Sequence, residues 1–258
     1  MKRIAIITGA SSGMGRRFSE TASQHVSFDE LWIIARREDR LLEVAGKLEG
    51  QSVKCLPMDL SLPESADALA EKMTAEQAEV ALLVNAAGFG KFQAVEDVPR
   101  ALADSMLALN CGALMDICYA CLPHMASDGK ILNIASVAAF QPVPYITEYA
   151  ATKAFVLNFS RGLWKELKPK GITVTALCPY WTRTEFFDVA NTNGSKDRIH
   201  YFNAMYEPED LVRRAWRDLL KGRDISTFGF IARAQILLVK LLPHRLVMKV
   251  WCSQQKIK

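Results

Sequence analysis

Residues 4–15 read Ile4-Ala5-Ile6-Ile7-Thr8-Gly9-Ala10-Ser11-Ser12-Gly13-Met14-Gly15. The first five form a short, β-branched run suited to a central parallel strand. A glycine-rich turn follows, then a helical pattern carrying Arg16, Phe18, Thr21 and Ala22. Strand, turn and helix in this order are the frame of a dinucleotide site. The glycines let backbone approach a pyrophosphate, and a helix N-terminus offers it free N–H groups. The spacing is G-x-x-x-G-x-G rather than G-x-G-x-x-G, and a plain βα turn is the alternative for the glycines taken alone. Placed after an opening strand, Gly9, Ser11, Ser12, Gly13, Met14 and Gly15 read as a phosphate cradle.

The rest of the chain repeats that unit. Apolar runs at Leu31–Ala35, Ser52–Leu56, Val80–Val84, Ile131–Ala135, Ile172–Cys178 and Ile225–Phe228 read as further strands. Helical patterns at 38–48, 63–74, 99–125, 146–167 and 208–221 separate them, which predicts an α/β chain. With 258 residues, half of them hydrophobic, the chain suffices for one large domain, assigned to residues 1–228, followed by an extension over 229–258. No apolar run reaches about 18 residues, so no transmembrane helix is expected. The N-terminal apolar run is too short for a signal peptide and reads as the first strand. A net charge of +4, spread along the chain, gives no nucleic-acid footprint. Of six cysteines only Cys118 and Cys121 share a C-x-x-C spacing, inside an apolar helical stretch. Buried free thiols are the reading, with no metal site, and a reducing, cytoplasmic location follows.

Three further stretches point to the cofactor. The second strand ends in Ala35-Arg36-Arg37, with Ala35 where an acid would hold the ribose of NAD. Two guanidiniums follow, Arg36 being the stronger candidate for a 2′-phosphate, so NADP(H) is expected. The alternative is that both arginines open a solvated helix. Asp59, next to Leu60, falls at the carboxyl end of the third strand, where ligands gather in open α/β sheets. Asn85-Ala86-Ala87-Gly88 follows the fourth strand, and its small residues either let backbone lie against a flat ring or make a simple turn. Pro99 to Met125 reads as one long helix with few charges, which implies burial or a subunit interface. Asn110 in its middle is either a satisfied core polar group or a site residue that holds water.

The chemistry is expected in Ser136 to Lys153. An apolar run leads into Ser136, a Pro-containing loop follows, and a helix starts near Ile146. Tyr149 and Lys153, four residues apart, share one helix face. A free tyrosine titrates near ~10, and a fixed ammonium beside it favours the phenolate, which makes a general acid/base for a carbonyl/alcohol pair. A Tyr-x-x-x-Lys match arises often by chance, so its context carries the claim.

The ordered set from Thr8-Gly9 through Gly15, then Asp59, Asn85 to Gly88, Asn110, Ser136, Tyr149, Lys153 and Pro179 through Thr184 resembles the short-chain dehydrogenase/reductase family, in its shorter, single-domain branch. The match covers about residues 1 to 228. It implies a doubly wound Rossmann fold with a central seven-stranded parallel sheet. It also implies hydride delivery from NADPH to a ketone carbon while Tyr149 protonates the oxygen. In that scheme Lys153 binds the nicotinamide ribose and lowers the Tyr149 pKa, Ser136 orients the substrate oxygen, and Asn110 holds a water linking Lys153 to solvent. Asp59 is implied at the adenine, Asn85 and Gly88 along the ribose side and Thr184 near the nicotinamide amide; Leu60, Ala86, Pro179 and Thr182 are further cofactor-binding candidates, Thr182 standing where the family commonly has an aliphatic residue. A homodimer or homotetramer is implied too. One departure is Tyr180 where the family has glycine; a backbone needing positive φ there would be strained, and the alternative is that Tyr180 walls the pocket.

Seven aromatics, Tyr180, Trp181, Phe186, Phe187, Tyr201, Phe202 and Tyr206, lie in residues 180–206, a long segment of the kind that forms lids. With Phe89, Phe92, Phe140 and Tyr145 they suggest an apolar pocket for a hydrophobic ketone or alcohol, such as a 3-oxoacyl chain or a steroid; core packing is the alternative for each ring. The extension mixes Leu-rich runs with Arg233, Lys240, Arg245, Lys249, Lys256 and Lys258. This basic amphipathic pattern suits core or subunit packing, with peripheral membrane contact the second reading. A non-catalytic NADP-binding regulator is the alternative to an enzyme, and it would have no need of Ser136, Tyr149 and Lys153 together.

Overall fold

The computed structural model describes residues 1–190 and 199–257. The Asn191-Thr192-Asn193-Gly194-Ser195 part of the expected lid, and the terminal Lys258, lie outside the described residues. In chain order the strands are β1 (Lys2–Thr8), β2 (Glu30–Ala35), β3 (Val53–Pro57), β4 (Ala78–Asn85), β5 (Met125–Ile134), β6 (Thr173–Leu177) and β7 (Ile225–Ser226). The helices are α1 (Gly13–Thr21), α2 (Glu38–Ala45), α3 (Glu64–Ala75), α4 (Arg100–Leu107), α5 (Leu114–Cys121), α6 (Thr147–Leu167), α7 (Phe186–Ala190), α8 (Pro208–Leu220), α9 (Phe230–Leu241) and α10 (His244–Gln254). The strands form one parallel sheet in the order β3-β2-β1-β4-β5-β6-β7.

Both faces of that sheet are covered because successive strand side chains point to opposite sides. Ile4 and Ile6 of β1 pack with Trp32, Ile34, Leu83 and the apolar faces of α3, α5 and α6. Ala5 and Ile7 pack on the other face with Phe18 of α1, Leu41 of α2 and Trp216 of α8. Burying each such large side chain contributes about 1.5–3 kcal/mol. Parallel strands buried on both faces read as continuous apolar runs, which is why β1 and β2 stood out in the sequence.

Most boundaries shift by one to three residues, and three elements differ more from the sequence reading. β5 begins at Met125, six residues before the apolar run, because β4 pairs with this polar-flanked stretch through a register irregularity at Val80/Leu82. β7 is two residues long rather than four. The single helix expected over 99–125 is broken: α4 passes into a π turn (Ala108–Ala113), then α5, then a 3-10 turn (Leu122–His124). Arg100–His124 is long and apolar enough to cross a membrane by length and composition. Here Leu114, Ile117, Cys118 and Cys121 are buried against the sheet.

Candidate active site

The strand order reverses at β1, whose neighbours are β2 and β4, and in open α/β sheets ligands bind at that point, outside the strands' carboxyl ends. A groove of about 600 Å³ opens there. Gly9 adopts φ +64, and a Cβ on it would fall 2.7 Å from the Ala87 amide nitrogen, so only glycine lets the two loops close. Thr8 Oγ1 ties them together by accepting from the Ala86 and Ala87 amides at 3.0 and 3.2 Å. Ser12 opens α1 without a side-chain cap, leaving first-turn N–H groups of α1 for a ligand anion. Ser11, Gly13, Met14 and Gly15 line the same wall.

The opposite wall carries Arg36, Arg37, Asp59 and Leu60. The Ser61 hydroxyl (2.7 Å) and amide (3.0 Å) donate to Asp59 Oδ1 and, with a smaller contribution from the Arg36 charge, hold its carboxyl below the usual range. Arg37 reaches across to Glu185 (3.3 Å) and Ser11 Oγ (3.4 Å). Ala86, Gly88, Lys153 and Thr184 line the groove as well. Glycine backbone, an uncapped helix start and two guanidiniums fit an extended phosphate-bearing nucleotide.

Asn85 is a correction. Its side chain points into the core, where Nδ2 donates to Asn133 Oδ1 at 2.9 Å, and Asn133 in turn donates to Ser160 Oγ at 2.9 Å. The cross-strand register Asn85↔Asn133 puts the two amides side by side, and buried amides take such partners.

Tyr149 and Lys153 stand one turn apart on α6. Lys153 Nζ donates to the Ile134 carbonyl at 2.7 Å and lies 5.6 Å from the centre of the Tyr149 ring. Ser136 follows β5 and accepts from the Ala138 amide at 3.1 Å, which starts a 3-10 turn over Val137–Phe140. Burial pushes the Tyr149 hydroxyl up to about 12, partly offset by a hydrogen bond with Ser136. Burial also pulls the Lys153 ammonium down to about 8. The direction is thus opposite to the lowering expected from Lys153, because desolvation of the phenolate outweighs the Ser136 hydrogen bond. Asn110 sits in the π turn, almost fully buried. It receives the Phe89 amide at 3.0 Å and donates to the Phe89 carbonyl (2.8 Å) and Thr152 Oγ1 (3.0 Å), fixing the loop after β4 against α6.

A second, apolar cavity of about 120 Å³ meets the groove at Met14, Ile134, Tyr149, Thr184 and Phe186, which line both. Ser136, Tyr180 and Trp181 are on its wall, together with Pro179 and Thr182, which the sequence reading assigned to the cofactor. Tyr180 is not among the residues with positive φ, so the backbone is unstrained without the family's glycine. Its hydroxyl donates to Asn203 Oδ1 at 2.6 Å and lies 3.0 Å from Gln235 Oε1. Three pocket assignments are corrected. Phe89 lines the nucleotide groove, because Asn110 holds its backbone on that side. Phe140 packs on the core cluster beneath α6, with Lys240 5.7 Å from its ring centre. Tyr145 has left-handed backbone (φ 65) and packs in the aromatic cluster without lining the cavity.

The sequence reading missed Gln141, Val143 and Ile146 in the loop before α6, and Gln235 and Trp251 from the tail. It also missed Gly90, where a Cβ would fall 2.7 Å from the Tyr149 ring. The signal for Trp251 was present: Val247, Trp251 and Gln255 recur every fourth residue and all are buried.

A doubly wound sheet with a nucleotide groove at its switch point and a Ser/Tyr/Lys constellation beside it defines a nucleotide-linked oxidoreductase. The family model for short chain dehydrogenase matches residues 3–194, and the chain belongs to that family. An uncharacterized oxidoreductase of Staphylococcus aureus (strain N315) is 31% identical over 226 residues, covering 87% of this chain and 94% of that protein. The structure of a short-chain dehydrogenase from Sphingobium yanoikuyae in complex with NADPH is 30% identical, with a TM-score of 0.76 and 96% of each chain covered. That of a 3-ketoacyl-(acyl-carrier-protein) reductase from Brucella melitensis complexed with NADH is 28% identical, with a TM-score of 0.71, covering 84% of this chain and 90% of that one. A nicotinamide cofactor and a small-molecule substrate follow for this oxidoreductase.

Proposed function

We propose that the protein interconverts a ketone and a secondary alcohol with NADP(H), on a hydrophobic substrate of 3-oxoacyl or steroid-like character. The observation that carries this reading is Tyr149, whose ring lines both the nucleotide groove and the apolar cavity. A bound nicotinamide supplies hydride to the substrate carbon or takes it up. Tyr149, protonated throughout the neutral range, donates its proton to the carbonyl oxygen. Ser136 donates a second hydrogen bond to that oxygen and orients it. Lys153, pinned by the Ile134 carbonyl, places positive charge beneath the ring, where it favours an oxygen gaining negative charge. Asn110 keeps the π turn in register with α6 and is assigned the water that links Lys153 to solvent.

The glycine turn would hold the pyrophosphate, Asp59 and Leu60 the adenine, Ala86, Gly88 and Lys153 the ribose, and Pro179, Thr182 and Thr184 the nicotinamide end. The relatives' complexes include both NADPH and NADH. Preference for NADP therefore rests on Arg36 and Arg37 after Ala35, with no acid on β2's end. The hydrophobic substrate is supported by Phe92, Val143, Trp181, Phe186 and Trp251 on the cavity wall. The described ends of the proposed lid are joined to each other, the Arg183 amide donating to the Tyr206 carbonyl at 3.1 Å and the Tyr206 amide to the Trp181 carbonyl at 2.9 Å. Exposed Leu107, Tyr119 and Phe155 support a homo-oligomer built on the α4–α6 face, and six free thiols suit the cytoplasm.

Tyr149→Phe tests the reading. NADPH affinity should stay within about twofold, while ketone reduction, followed as NADPH absorbance across bulky ketones, falls at least about 100-fold. Turnover retained in the variant would refute the assignment, and a wild type silent toward the whole panel would favour the regulator instead.

A further inference from the structure

We propose that the outer face of α9 and α10 docks on an anionic lipid surface. Two independent observations meet there. The first is charge segregation: after Asp224 the chain carries no Asp or Glu, but six Lys and Arg, whereas residues 1–224 hold 28 acids against 26 Lys and Arg. All of the net positive charge of the protein therefore resides in the tail, which corrects the reading of a charge spread along the chain. Arg233, Arg245, Lys249 and Lys256 are exposed, and none of them is in an ion pair among the described residues. The second is apolar exposure. Phe230 (85%), Leu237 (60%), Leu238, Leu241 (73%), Leu246 and Val250 project into solvent around the α9–α10 corner.

The helices do not expose these residues for want of an inner face. Ala232 and Val239 of α9, and Val247 and Trp251 of α10, are buried, and Gln255 at the end of α10 holds the His200 and Tyr201 amides at 3.1 and 3.0 Å. Trp251 Nε1 donates to the Pro144 carbonyl at 3.0 Å. The tail is thus fixed to the body on one side and leaves a leucine ridge flanked by cations on the other, the pattern of an interfacial helix. A second copy of the chain fits poorly. In an isologous contact the patch meets itself, so the cationic rows would face each other. Anionic headgroups complement both features, the cations by charge and the leucines by the acyl boundary. This goes beyond the ketone reading and is measured without turnover.

The test is flotation of the full chain with vesicles of phosphatidylcholine alone or with 30% phosphatidylglycerol. Wild type should float with the anionic vesicles and stay behind with the neutral ones. Leu237→Gln/Leu241→Gln/Leu246→Gln should lower binding more than tenfold, and Arg245→Glu/Lys249→Glu at least tenfold. All five positions are exposed, so an unchanged thermal transition verifies the fold of each variant. Wild type that fails to float with anionic vesicles, or folded variants that float as well as wild type, would overturn the proposal. So would a concentration-dependent dimer, seen by light scattering, that the leucine variant dissolves, because the ridge would then be a subunit contact.

Discussion

Lys153→Met should abolish turnover while costing little folding stability, and the balance should move with pH. Lys153 is 5% exposed, and burial brings its ammonium from 10.5 down to about 8. One pKa unit corresponds to about 1.4 kcal/mol, so below pH 8 keeping this group charged costs the folded state about 3 kcal/mol. Methionine has a similar unbranched stem and fills the same space without a charge. It leaves the Ile134 carbonyl without its 2.7 Å donor, a loss of about 1–3 kcal/mol. At pH 7 the variant should therefore lie between equal stability and about 2 kcal/mol above wild type.

The sign of the pH effect follows from linkage. Between about pH 8 and 10.5 the unfolded chain keeps a proton on Lys153 that the folded chain has released, so wild-type stability rises with pH relative to the variant. From pH 7 to 9.5 that relative gain is about 2 kcal/mol. Tyr149 acts oppositely: raised to about 12, it loses stability only as pH climbs above 10, and it is common to both proteins. Urea unfolding followed by circular dichroism at the two pH values, without added nucleotide, measures the difference. A wild-type-minus-variant difference that does not change with pH would refute the claim that burial strains this lysine.

Three other perturbations separate the parts of the site. Gly9→Ala forces a Cβ to 2.7 Å from the Ala87 nitrogen at φ +64; differential scanning should show a transition lower by about 5–10 °C, for a cost of roughly 2–4 kcal/mol. Arg36→Asp should lower the NADPH-to-NADH ratio of kcat/KM at least about tenfold, as loss of a charge-assisted contact would; equal use of both cofactors by wild type would contradict the arginine argument. Trp251→Ala should widen the cavity and raise kcat/KM for the bulkiest ketones relative to small ones; an unchanged ratio would remove α10 from substrate selection.

The sheet was readable because its signal is local: β1 and β2 are buried on both faces and carry unbroken apolar runs. The glycine turn was readable for the same reason, since backbone geometry near Gly9 demands a residue type. The π turn at Asn110 was not, because it depends on Asn110 finding the Phe89 backbone and Thr152, which are 21 and 42 residues away. Asn85 was misread because a polar residue at a strand's end looks like a ligand contact, and only the β4–β5 register reveals Asn133 beside it. Pocket aromatics were hardest, since Phe140 and Phe186 are chemically alike and only tertiary packing sends one to the core and the other to the cavity.

The reversed Tyr149 shift sharpens the chemistry. Near neutral pH the buried pair is a neutral phenol above an ammonium, one net positive charge in a desolvated site. A carbonyl that accepts hydride becomes an alkoxide, which needs both a proton and a positive field, and this pair holds both before the reaction begins. A phenol already depressed into the neutral range would have lost part of its proton and could not donate it. In the proposed reaction the pair holds the proton that the substrate oxygen takes, and the Ser136 hydrogen bond, which lowers the Tyr149 pKa, works against the effect of burial.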